Sequence, residues 1–144
     1  MKGSVRTPIH LWIVGVLALV WNAFGCFDYV MTQTRNADYL ANFTDPQRVY
    51  FESFPLWMEA MWALGVWGGL LGSLLLLLRS RWAVAAFGLS LLGLAASTVY
   101  QYVLTSPPPD MMTGAMIAFN VVIWAVCIGL FVYAREMRSR GVLR

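Results

Sequence analysis

Two carboxylates and a small set of amides stand in stretches of this chain that are otherwise almost wholly apolar. Asp28 and Glu59 each fall about four residues inside the end of a long apolar segment, roughly 5–7 Å deep at 1.5 Å of rise per residue. Asn22 and Asn120 lie deeper in their segments, and Gln101 follows Ser97 and Thr98 in another. Helical spacing puts Trp21 and Gly25 on the face of Asp28, and Trp62, Ala63 and Val66 on the face of Glu59. Trp57 stands one turn or less from Glu59. A carboxylate beside an indole in a small wet pocket can hold a sugar hydroxyl or an organic cation and exchange a proton as the solute binds. The plainer reading is equally physical. Amides hydrogen-bond neighbouring helices for about 0.6–2 kcal/mol each, and acids near the edge of a bilayer reach water or Arg48 at far less than the about 2.5–3.5 kcal/mol of mid-membrane.

The elements that must position these groups follow from composition. Of 144 residues 60% are apolar and 12% charged, and the mean hydropathy is +0.66, too apolar for a water-soluble domain of this length. Four segments, 9–31, 55–78, 82–104 and 111–134, each exceed the about 20 residues that cross a ~30 Å hydrocarbon core. The fold expected is all-α, a single four-helix transmembrane domain over 1–144, with 32–54 as an outer loop.

Charge assigns the sides. Lys2 and Arg6 precede the first segment, Arg79 and Arg81 join the second to the third, and Arg135, Arg138, Arg140 and Arg144 close the fourth. Opposite them, Arg35 and Arg48 are outnumbered by Asp38, Asp45 and Glu52. The positive-inside rule then predicts cytoplasmic termini. The net charge of +3 belongs to this arginine bias and to anionic lipid, not to nucleic acid. Ala23-Phe24-Gly25-Cys26 is a poor cleavage site, because Phe24 is bulky and the apolar run continues past Cys26, so the first segment is expected to remain as an anchor.

Within the outer loop, Asn36 can cap a turn through Leu40, and Thr44-Asp45-Pro46 suits a helix start running to Ser53. Aromatic side chains give these pieces an apolar side, which predicts short amphipathic helices at the interface or over the bundle mouth. In the second span Gly65 and Gly69, with Gly68 and Gly72, form two overlapping pairs four residues apart, which let a second backbone approach where lipid offers no hydrophobic drive. The second helix is therefore expected at the centre. Pro107-Pro108-Pro109 ends the third helix, and Asp110 is expected beside the N-terminus of the fourth.

Several chemistries lack their residues. His10 is the sole histidine, Cys26 and Cys127 are expected at different depths as packing residues, and no nucleophile elbow or phosphate loop occurs. No metal or cofactor is expected.

The stretch Trp21-Asn22-Ala23-Phe24-Gly25, then Asp28 through Asn36, Tyr39-Leu40, Phe43-Thr44, Phe54-Pro55, Trp57, Trp62-Ala63 and Val66-Trp67-Gly68-Gly69 with Gly72, resembles an uncharacterised family of small four-span bacterial inner-membrane proteins. The resemblance runs over nearly the whole chain. It implies a bacterial inner-membrane location and carries a label of sugar transport without a mechanism. Three function classes are expected in descending order: a non-enzymatic packing or accessory protein with a membrane-protein partner or further copies of itself, a small solute carrier with an outward polar pocket, and a lipid-headgroup-modifying enzyme.

Overall fold

The computed structural model describes residues 5–144. Lys2, one of the cations assigned to the first flank, lies outside the described residues. The elements are α1 (Ile9–Gln33), α2 (Ala37–Leu40), α3 (Asp45–Glu52), α4 (Leu56–Leu77), α5 (Ala83–Val99, continued by a π-helical turn Tyr100–Leu104) and α6 (Gly114–Ser139). No strand occurs among the described residues. α1, α4, α5 with its π turn, and α6 are each long and apolar enough to cross a membrane, which makes the chain, by length and composition, a multi-pass membrane protein. Leu56, Ile9, Leu78, Val103 and Phe24 are left more than two thirds exposed.

Local chemistry sets the helix ends. Pro8 and Pro55 hold extended backbone immediately before α1 and α4, where a missing N–H costs nothing. α1, α4 and α6 all finish in the same way. The N–H two residues past the C-cap reaches back to the third-last carbonyl: Asn36 to Met31, Ser80 to Leu75, Val142 to Met137. This motif needs a left-handed residue, supplied by Gly141 in α6 but by Arg35 (φ 54) and Arg79 (φ 55) after α1 and α4. A side chain there costs about 1–2 kcal/mol over glycine.

α4 packs on both α1 and α5, and α6 packs on α5. The contact of α4 with α5 is the closest. A Cβ at Gly93 would meet Met61 O at 2.5 Å and Gly65 N at 2.6 Å, so the two backbones touch there. Ser90 Oγ donates to Gly65 O at 2.6 Å across the same seam. α6 is held more lightly, by Trp124 Nε1 donating to Thr98 Oγ1 at 3.2 Å and by Phe131 beside Gly88. α1 and α6 meet through His10 Nδ1 and Tyr133 Oη, 2.5 Å apart, and through the rings of Trp21 and Phe119.

Two expectations change. The fourth helix starts at Gly114 and runs to Ser139, not over 111–134, because the prolines lead into a 3₁₀ turn at Pro109–Met111 and Thr113 then caps Met116 N–H at 3.3 Å. Asp110 consequently stands outside the helix and accepts from Thr44 Oγ1 at 2.6 Å. The basic tail also folds back. Arg81 N–H donates to Arg144 O, Arg144 N–H donates to Arg79 O, both at 2.9 Å, and Val142 and Leu143 are buried against Leu11, Leu76 and Ala83.

Candidate functional site

The polar residues singled out in the chain fall into separate environments. Asn22, on α1, points at α4. Its Nδ2 donates to Ala18 O at 2.9 Å and to Ser73 Oγ at 3.1 Å, and the buried Ser73 hydroxyl donates onward to Gly69 O at 2.8 Å. The amide occupies the notch left by Gly69, where a Cβ would come within 2.8 Å of Asn22 Cγ. One turn further along the same seam, Cys26 Sγ donates to Val66 O at 3.3 Å. The four glycines thus divide unevenly. Gly69 receives α1, whereas Gly65, Gly68 and Gly72 face Leu94, Ser90 and Phe87 of α5.

Asp28 is half-buried two turns beyond Asn22, and the hydroxyl of Tyr39 donates to its carboxylate. The left-handed Arg35 reverses the chain and returns α2 over the end of α1, while Asn36 Oδ1 accepts from Tyr39 N–H at 3.0 Å and sets the ring. Burial first, then the hydrogen bond and charge of Asp28, holds the Tyr39 phenol well above its ordinary pKa. Phe27 and Phe43 pack edge-on against the same ring. Tyr39 has no period-based signal in the sequence. The turn chemistry at Arg35-Asn36 was its available trace.

Glu59 lies elsewhere. It lines a small cleft with Thr32 and Gln33 from the end of α1, Arg35 from the turn, and Arg48 and Glu52 from α3. Leu40 and Phe51 form its apolar part, and its volume is about 80 Å³. Asp28 is not among the lining residues. Arg48 is ion-paired with Asp45 on α3. Among the described residues that pair and Arg140–Glu136 are the ion pairs, so Arg35, Glu52 and Glu59 face one cleft without closing on a charged partner. A larger hollow at the other end of α1 is bounded by Arg6, Thr7, Pro8, Ile9 and Trp12, all from one stretch, and is a surface recess.

Trp57 and Gln101 stand apart from both acids. Trp57 is 47% exposed and meets Tyr100 edge-on with ring centroids 5.4 Å apart. Tyr100, Phe54, Tyr50 and Met58 form a buried aromatic cluster that seats α3 against α4 and the π turn. Thr105 bridges this junction, with Tyr50 Oη and Tyr100 O each 2.9 Å from its hydroxyl. Burial raises the Tyr50 phenol above its usual range, and the Thr105 hydrogen bond partly opposes the rise. Gln101 is half-buried in the π turn. Asn120 Nδ2 donates to Tyr102 Oη at 3.0 Å between α6 and that turn. The six candidates therefore form no single constellation.

Among the described residues no group of three or more His, Cys, Asp or Glu side chains is placed to hold a metal ion. No family model, curated protein or solved structure matches the chain.

Proposed function

We propose that this chain is a non-enzymatic packing or accessory protein of a bacterial inner membrane, with both termini on the cytoplasmic side. The supporting observation is the commitment of its deepest polar groups to helix contacts. Asn22, Ser73 and Ser90 all bond across or along the α1–α4–α5 seams, where a transport path would need them free to change partners. Asn120 is tied to Tyr102 in the same manner. The arginine bias toward the α4–α5 turn and the tail supports the orientation. The outer connection, with α2 and α3 lying over the bundle end, then forms a fixed cap at the interface. The location itself leans on the resemblance to small four-span inner-membrane proteins.

α6 gives the accessory role its surface. α5 gives it most of its support and α1 touches it through Tyr133 and Phe119, while Ile117, Val121 and Val132 remain exposed. Extraction of a tagged chain at native expression level in mild detergent tests the reading through the mass and composition of the recovered complex. A stoichiometric second protein or a defined oligomer supports it. A monodisperse monomer that moves solute in liposomes overturns it in favour of a carrier.

A further inference from the structure

The mixed-charge cleft between the end of α1, the Arg35 turn, α3 and the start of α4 is not used by the packing role. It gathers two guanidinium groups and two carboxylates around one opening. Opposite charges on a flexible surface normally find each other. Here Arg35, Glu52 and Glu59 make no ion pair within 4.0 Å, and Arg48 shares its guanidinium with Asp45 outside the cleft wall. Separated opposite charges around a small space suit a ligand that carries both signs itself.

We propose that this cleft binds an ethanolamine phosphate group, with Arg35 and Arg48 taking the phosphate and Glu52 and Glu59 taking the ammonium. Guanidinium groups match phosphate oxygens through paired N–H donors, and a primary ammonium has three donors for two carboxylates. Size agrees. At about 10–15 Å³ per water-sized group, 80 Å³ holds roughly five to eight such groups. That is the scale of ethanolamine phosphate. Position agrees as well, because the cleft opens where two bilayer-length helices end, and Phe27, Leu56 and Val49 of the adjoining elements are more than half exposed. Acyl chains attached to the group would lie along such surface.

Arg35 supplies a further argument. Its left-handed backbone would suit glycine, which α6 uses at the equivalent position, yet α1 keeps a long cationic side chain that lines the cleft.

The test uses the full chain in mild detergent, with native mass spectrometry of added dimyristoyl phosphatidylethanolamine, phosphatidylcholine and phosphatidylglycerol, and a separate arm with free phosphoethanolamine as competitor. The ethanolamine lipid is expected to be retained about tenfold over the choline lipid, whose methyl groups replace the N–H donors. Glu59→Gln should erase that preference, and Arg35→Gly, which removes a phosphate contact, should weaken retention of all three lipids together. Arg35→Gly should do so with an unchanged or raised melting temperature, since the strained residue is gone. Competition by the free compound places the natural ligand in solution, and ethanolamine-lipid preference without competition places it in the bilayer. Equal retention of the three lipids with no binding of phosphoethanolamine overturns the proposal. So does a preference that survives Glu59→Gln, or retention that Arg35→Gly leaves unchanged.

Discussion

Asn22 fills the space that a side chain at Gly69 would require, so the amide on α1 and the missing Cβ on α4 are one structural device. Asn22→Ala removes an interhelical hydrogen bond and is expected to cost about 0.6–2 kcal/mol. Gly69→Ala forces the amide out of its notch and is expected to cost about 1–3 kcal/mol. The two should not add. With Asn22 already truncated, alanine at 69 has room, and the double variant should be more stable than the sum of the singles implies. Reversible unfolding in mixed micelles measures all four corners, and strict additivity would mean that the two residues do not share the space.

Gly93 and Gly65 are a sharper pair of controls. A Cβ at Gly93 meets backbone atoms at 2.5 and 2.6 Å, whereas one at Gly65 meets nothing closer than 3.6 Å. Gly93→Ala should separate α5 from α4 and lower stability by about 1–3 kcal/mol. Gly65→Ala should be neutral or stabilising by up to about 1 kcal/mol through helix propensity. Melting temperatures of the two variants in one detergent decide it, and the reverse order would show that the helices meet elsewhere.

Tyr39 closes over Asp28 with its phenol protonated. Because its folded pKa is raised above the unfolded value near 10, its contribution is complete below about pH 10 and is lost as pH rises through the folded pKa. Hydrogen exchange of the amides in α2 should therefore stay flat through neutral pH, after correction for intrinsic rates, and accelerate in the alkaline range. Tyr39→Phe should show the faster exchange already at pH 7, with a loss of about 1.5–3 kcal/mol for a hydrogen bond to a charged acceptor. Identical protection in the wild type and the variant at pH 7 would remove Tyr39 from this role.

Thr44 has two tasks, capping α3 at Gln47 N–H and donating to Asp110 across the bundle end. Thr44→Ser keeps both and should be silent. Thr44→Val loses both, and α3 amides should exchange faster by the equivalent of about 1–2 kcal/mol. Asp110→Asn separates the tasks, since the cap survives while the charged acceptor does not. If exchange in α3 is unaltered in Thr44→Val, the aromatic cluster alone seats the helix.

The apolar spans were legible because helices of 22 to 26 residues whose few charges lie near their ends leave few alternatives to a bilayer-length helix. The site was legible only as a set of isolated residues. Helical period tells which residues share a face, not which neighbour that face meets, so Gly65 and Gly69 looked like a pair although they serve α5 and α1 respectively. Asn22 stood out as a deep amide, yet Ser73, its partner, is a small residue in a leucine-rich run. Glu59 and Arg48 were matched as an acid and a loop cation within its reach, while Arg35 and Glu52 were not grouped with them, because they reach the cleft through a left-handed turn and a short helix rather than through a span. Asp110 was misassigned because a proline run can be followed by a further turn before the next helix begins.

The close seam between α4 and α5, joined by the tight turn through Arg79, Ser80 and Arg81, bears on how the protein is made. The two helices carry their own contacts in Ser90, Gly65 and Gly93, so they can enter the bilayer as a preassembled hairpin and dock on an α1 already inserted. α6 follows α5 in the chain and packs on α5 and α1. Its arrival brings the tail's clasp onto the α4–α5 turn, the step that locks the assembled helices together.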